Sequence, residues 1–137
     1  MATPSDGIRP SNREICKKVN DALNAIQARR RQLGVDKHLT DDFRALDIFS
    51  EEELWEVLPI LLQEIIRAKP PDCYVGGHPP QRSYDEEMRD MELWPYRWDS
   101  SSQDKMMFLK FAMKHDRTGN WWYIHVDVHE DRPKPRI

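Results

Sequence analysis

The chain has little of what would indicate a disulfide-bonded, secreted or membrane protein. It contains only 2 cysteines, and Cys16 and Cys73 form no CxxC pair and have no histidine at zinc-finger spacing. No apolar run reaches the ~20 residues of a membrane span, since Pro59 and polar residues interrupt the longest one. Residues 1–10 lack the apolar core of a secretory signal. The sequence therefore predicts free thiols, a cytoplasmic location and no membrane contact.

A dominant charge is also missing. The 21 Lys and Arg are balanced by 24 Asp and Glu, for a net charge of −3. This argues against a chain-wide nucleic-acid footprint and leaves room for a local basic patch. With 137 residues, 33% charged and 39% hydrophobic, the chain is typical of one globular domain. We expect that domain at residues 11–131, between a flexible arm at 1–10 and a flexible tail at 132–137.

Two helices are predicted in the N-terminal half by their capping boxes. Ser11 with Glu14 begins the first, whose apolar positions recur every three or four residues until Gly34 ends it. The basic run Arg29–Arg31 then falls in its last turn, either complementing the helix dipole or binding phosphate. Ser50 with Glu53 begins the most hydrophobic helix, which should lie in the core. Further packing is expected from a short helix or turn that buries Leu39, Phe43, Leu46 and Phe49.

The C-terminal half is predicted to be a sheet. A loop at residues 69–82, rich in proline and containing His78, is followed by a short acidic helix that begins at Ser83. From Trp94 onward the apolar period changes from 3.6 to 2, which is typical of strands. LWPYRW puts two tryptophans and a tyrosine on one side, and Pro95 predicts that this strand lies at an edge of the sheet or opens one. Residues 105–115 and 121–130 are then expected to form a hairpin.

The register of that hairpin follows from its apolar alternation. One strand alternates through Met107, Leu109, Phe111 and Met113, and the other through Trp122, Ile124, Val126 and Val128. If these sets share the core face, Phe111 pairs with Ile124 and the turn holds an even number of residues. The opposite face then carries His125, Asp127 and His129, with Lys110 opposite His125.

This polar face contains the groups needed for metal-independent acid–base chemistry. A histidine, His125 or His129, exchanges protons near neutral pH. Asp127 is expected to orient the imidazole, and Lys110 to stabilise a developing negative charge. Geometry argues against a metal site, because the two histidines lie about 13 Å apart along a strand. We therefore expect no metal and no cofactor.

Such groups are typical of enzymes in which a ribose 2′-hydroxyl attacks the adjacent phosphate. Arg97, Lys114 and Arg117 are candidates for binding flanking phosphates, and Trp121 or Tyr123 for stacking on an unpaired base. Helices followed by an antiparallel sheet with a polar open face resemble the layout of small bacterial ribonuclease toxins of the RelE and barnase kind. This resemblance is one of layout, without a matched motif, and it implies an RNA substrate.

An alternative is a non-catalytic binding module that neutralises a basic protein, as antitoxins and immunity proteins do. Its contacts would be the acidic residues Asp85, Glu86, Glu87 and Asp90, with the aromatic anchors Trp94, Trp98, Trp121 and Tyr123. A third interpretation is that the polar face is only the solvated side of a sheet. All three rest on one predicted fold: α+β, with two to three N-terminal helices packed on one face of a small antiparallel sheet of at least three strands.

Overall fold

The computed structural model describes residues 11–34, 43–76 and 91–131. The predicted arm at 1–10, the tail at 132–137, His78 and the acidic helix from Ser83 lie outside these ranges. The elements follow in the order α1 (Asn12–Gln27), β1 (Arg31–Leu33), α2 (Glu51–Arg67), α3 (Pro70–Cys73), β2 (Leu93–Ser100), β3 (Lys105–His115) and β4 (Trp121–Glu130). Helices precede most of the strands, so the α+β prediction is confirmed.

The four strands form one sheet in the order β1-β4-β3-β2. β3 runs antiparallel to both β2 and β4, and β2 is an edge strand, as Pro95 predicts. The predicted antiparallel sheet of at least three C-terminal strands is therefore confirmed in β2, β3 and β4, and β1 adds a fourth strand that pairs with β4 in parallel. The basic run was expected in the last turn of α1, but the helix ends at Gln27. Arg29 then takes a positive φ of 63°, which turns the chain into β1.

Both predicted helix starts are confirmed by their caps. The hydroxyl of Ser11 accepts a hydrogen bond from the backbone N–H of Glu14 at 3.1 Å. The hydroxyl of Ser50 accepts from the N–H of Glu53 at 3.1 Å, while the Glu53 carboxylate accepts from the N–H of Phe49 at 2.9 Å. The two serine bonds satisfy donors that the first helical turn leaves without a partner, and the Glu53 bond fixes the residue before the cap. α2 continues through Pro59.

The hydrophobic core lies between the helices and one face of the sheet. α1 and α2 contribute the buried residues Ile15, Val19, Ala22, Ala25, Ile26, Leu54, Trp55, Leu58, Leu61, Leu62 and Ile65. β2 contributes its aromatic row Trp94, Tyr96 and Trp98. Within the segment before α2, Leu46 is buried and Phe43 is partly buried, but the prediction for Phe49 is wrong: its side chain is 71% exposed. Ile48 occupies the buried position beside it.

A buried carboxylate joins α2 to the turn between β2 and β3. Glu64 is 5% exposed and accepts hydrogen bonds from Trp98 Nε1 at 3.1 Å, Ser100 Oγ at 2.6 Å, Ser101 Oγ at 3.1 Å and Ser102 N at 2.8 Å. Burial by itself raises the pKa of this group, but the hydrogen bonds outweigh burial and lower the pKa to about 2. The carboxylate therefore stays charged and holds the helix against the sheet.

Within the described ranges, every helix is too short or too polar to cross a membrane.

Candidate functional site

The turn between β3 and β4 sets which side chains of β4 face the core. His115 pairs with Trp121, so the turn holds the five residues 116–120. Asp116 organises it: one carboxylate oxygen accepts from the backbone N–H groups of Thr118 and Asn120, and the other from Trp122 Nε1 at 2.9 Å. The hydrogen bond from the Thr118 hydroxyl, together with these bonds, lowers the pKa of Asp116. The predicted even-numbered turn is therefore wrong. In the first half of β4, each side chain faces the side of the sheet opposite to the one predicted.

A β-bulge at Val126 reverses this inversion. Phe111 pairs with His125 while Lys110 pairs with Asp127, so Val126 has no partner of its own in the ladder. Before the bulge, odd-numbered residues of β4 face the helices. After it, even-numbered residues such as Val128 do, and Asp127 lies on the opposite side, which we call the outer face of the sheet. A bulge changes the facing of all later residues, because side chains alternate with a period of two.

The prediction that His125 lies on the polar face opposite Lys110 is therefore wrong. His125 is 0% exposed, lies opposite Phe111 on the core face and has its ring 6.0 Å from that of Phe43. The hydroxyl of Tyr123 lies 3.0 Å from His125 Nδ1. Burial raises the pKa of Tyr123 and lowers that of His125 to about 3. His125 is thus a neutral core residue that no substrate reaches.

The neutral imidazole of His125 has one ring nitrogen that accepts and one that donates. The Tyr123 hydroxyl and His125 Nδ1 share one hydrogen bond, in which the imidazole tautomer decides which group donates. Among the described residues Nε2 has no hydrogen-bond partner. A buried donor or acceptor without a partner costs about 1–3 kcal/mol, so this pair is a polar defect within the core in either tautomer.

His129 and Asp127 do meet on the outer face. His129 Nε2 lies 3.4 Å from Asp127 Oδ2, and His129 Nδ1 lies 2.7 Å from the Glu130 carbonyl oxygen. The Phe108 ring stacks on the imidazole, with 5.0 Å between centroids and 19° between planes. The His129 side chain remains 30% exposed. The imidazole is therefore held by a hydrogen bond at Nδ1 and by the Phe108 ring on one face, with Asp127 beside Nε2, while solvent still reaches it.

Two cations complete this group, which we call the outer-face cluster: Asp127, His129, Lys110 and Arg97. Lys110 lies opposite Asp127 in the register of β3 and β4. Arg97 lies in the neighbouring row with Phe108 and His129. The two rows are two residues apart, roughly 6.5 Å along a strand. Arg97 Nε also forms a 2.8 Å ion pair with Asp131, so its charge is partly compensated.

The predicted stacking residues lie elsewhere. Tyr123 is 0% exposed. Trp121 has the His115 ring 3.5 Å from its centroid and the Lys18 ammonium 3.9 Å from it. The Trp121 ring is therefore already in contact with an imidazole and an ammonium group.

Lys114 and Arg117 lie at the turn, away from the outer-face cluster. With Gln32, His115, Asp116 and Trp122 they line a cleft of about 380 Å³. Trp122 was predicted to be a core residue, but the five-residue turn places it on the outer face opposite Lys114. The regular alternation of β4 in the sequence gave no sign that Trp122 would lie on this face.

The alternative site loses its anchors, because Trp94 and Trp98 are 1% and 3% exposed. Its acidic residues Asp85, Glu86, Glu87 and Asp90 lie outside the described residues. Within the described part of the chain, His, Cys, Asp and Glu residues form no group of three that would hold a metal ion.

No protein family matches this sequence, and neither curated proteins nor solved structures provide a similar chain. The function must therefore be argued from the site itself.

Proposed function

We propose that this protein cleaves single-stranded RNA without a metal ion, using the outer-face cluster. The observation that carries the proposal is the bulge at Val126. Bulges are over-represented beside active sites, where they re-aim side chains. Here the bulge sets Asp127 and His129 on the side of the sheet that carries Lys110 and Arg97.

Each residue of the cluster is assigned a role from its contacts or from its position in the sheet. His129 takes the proton of the ribose 2′-hydroxyl at Nε2, because Nδ1 donates to the Glu130 carbonyl oxygen. Asp127, 3.4 Å from Nε2, orients the ring and stabilises the imidazolium so formed. Lys110 stabilises the negative charge that develops on the phosphate oxygens. Arg97 lies one row away. It binds a neighbouring phosphate when that phosphate displaces Asp131 from the guanidinium group.

The reaction is a transesterification. The 2′-oxygen forms a bond to phosphorus while the bond from phosphorus to the 5′-oxygen breaks, which leaves a 2′,3′-cyclic phosphate and a 5′-hydroxyl. The departing oxygen takes a proton from water, and His129 returns its proton to the hydroxide so formed. The free thiols of Cys16 and Cys73 fit the reducing cytoplasm, where RNA substrates are found.

The test is cleavage of a mixed-sequence RNA with EDTA present. His129→Ala should lose roughly 10²–10⁴-fold in rate, the usual contribution of a general acid or base. His125→Leu is the matched control, since it removes the other histidine of the same strand from the core and should keep the activity. Mass spectrometry should detect the cyclic phosphate, and a 2′-deoxy linkage should resist cleavage.

Two results would overturn the proposal. One is a folded wild-type protein that leaves RNA intact at high protein concentration. The other is a His129→Ala variant as active as the wild type.

A further inference from the structure

The cleft at the β3–β4 turn lies outside the outer-face cluster and has a composition of its own. Its lining combines an aromatic ring, two cations and a primary amide: Trp122, Lys114, Arg117 and Gln32. At about 380 Å³ it falls within the size range of small-ligand sites.

Trp122 is held in place rather than free to rotate. Its indole Nε1 donates to Asp116 Oδ2 at 2.9 Å, and its inner edge packs on the buried row of Leu93, Ala112 and Ile124. A ring fixed in this way loses little conformational entropy when a flat ligand stacks on it.

The charges of the cleft favour an anion attached to such a flat ligand. Lys114 lies opposite Trp122 in the ladder, and the exposed Arg117 follows in the turn. Asp116 also lines the cleft as a charged carboxylate whose oxygens accept bonds from Thr118, Asn120 and Trp122, so two cations stand against one anion. An aromatic platform beside cations is what proteins use to bind unpaired nucleotides.

We infer that this cleft binds one nucleotide of single-stranded RNA, with its base stacked on Trp122 and its phosphate between Lys114 and Arg117. Gln32, which pairs with Ile124 from the neighbouring strand, lies on the same face and supplies an amide for the edge of the base. This inference rests on the proposed function for its choice of RNA.

The position relative to the outer-face cluster fits one continuous strand of RNA. Lys114 and Lys110 are four residues apart on β3, roughly 13 Å, a distance that a few unpaired nucleotides span. Between them lies the row of Ala112 and Ile124. This row is buried, so the intervening nucleotides pass over side chains packed on it, such as Trp122 and Val126. The cleft is therefore a substrate subsite a few nucleotides from the bond that is cleaved.

The experiment measures binding apart from cleavage. The probe is a fluorescein-labelled 2′-O-methyl oligonucleotide of about six nucleotides, a length suited to one single-strand site, which lacks the nucleophilic hydroxyl. Fluorescence polarisation gives its Kd with the full chain. Lys114→Ala/Arg117→Ala should weaken binding roughly 10-fold or more and flatten the salt dependence. Lys105→Ala/Arg67→Ala removes the same charges away from the cleft and should leave Kd within about 2-fold.

A second variant tests the stacking. Trp122→Ala should weaken binding roughly 5- to 100-fold, the range that base–aromatic stacking supplies, and Trp122→Phe should restore part of it. Trp122→Ala also removes packing. If this variant fails to fold, the Lys114→Ala/Arg117→Ala variant decides the result.

The outcomes separate the two proposals. Probe binding lost in the cleft variants and kept in the control pair supports the subsite, even where His129→Ala cleaves RNA normally and the catalytic proposal fails. Equal binding by all variants, or no binding by the wild type, overturns the subsite even where RNA cleavage depends on His129.

Discussion

The buried histidine predicts a specific loss of stability in mild acid. In the folded protein burial lowers the pKa of His125 to about 3, whereas an unfolded chain titrates near the ordinary value of 6.5. Between these values the unfolded state binds a proton that the folded state does not. The free energy of unfolding therefore falls as the pH drops from about 6.5 toward 3. Above this range the stabilising contribution of the neutral His125 is fully present.

The size of the effect follows from the pKa difference. A pH of 5 lies about 1.5 units below the pKa of His125 in the unfolded chain, and each unit corresponds to about 1.36 kcal/mol. The free energy of unfolding is therefore about 2 kcal/mol lower at pH 5 than at pH 7.5. Glu64 does not contribute there. Its pKa falls from an ordinary 4.5 to about 2 on folding, so its share is lost only below about pH 4.5.

Urea unfolding followed by tryptophan fluorescence at about pH 7.5 and pH 5 measures the difference. His125→Leu should lose about 2 kcal/mol less than the wild type across this interval, because nothing titrates at that position. Met113→Leu is the matched control. It alters a neighbouring core position, leaves His125 in place and should keep the full pH dependence. Equal losses in the wild type and His125→Leu would refute the buried, neutral state of His125.

Two further predictions concern stability at neutral pH. Glu64→Gln should lower the free energy of unfolding by about 1–3 kcal/mol, since one amide end turns toward donors that need an acceptor. Chemical denaturation measures this, and a neutral effect would mean that the serines of the turn bind water equally well. Ser50→Ala should cost about 1 kcal/mol by removing the cap of α2. Thermal unfolding checks it against Gln63→Ala, which removes an exposed polar side chain from the same helix and leaves its cap intact.

The parts of the fold that the sequence revealed are those with local causes. The capping residues Ser11 and Ser50 identified both long helices, since a cap needs only the next three residues. Pro95 identified an edge strand because a missing N–H is a property of one residue. β1 has no such local signal. Its three residues Arg31–Leu33 are too short to show alternation, and their parallel partner Tyr123–His125 is about ninety residues away.

The candidate site was predicted in part because β4 carries two different patterns. In its second half, Val126 and Val128 alternate with Asp127 and His129, and polarity distinguishes the faces. In its first half, Trp121 and Tyr123 alternate with Trp122 and Ile124, and both rows are apolar. Extending the clear pattern into the ambiguous half gave a wrong face for His125 and the right one for His129.

The five-residue turn and the bulge at Val126 explain each other. The odd-numbered turn directs Tyr123 inward, where its ring packs 5.2 Å from that of Phe111 and 6.0 Å from that of Trp55. Without a second odd-numbered irregularity, Asp127 and His129 would also point inward and bury a carboxylate and an imidazole, at a cost of several kcal/mol. The bulge removes that cost, and it does so at the boundary between the aromatic half of β4 and its polar half. The arrangement lets one strand supply core aromatics at one end and the proposed proton-transfer pair at the other.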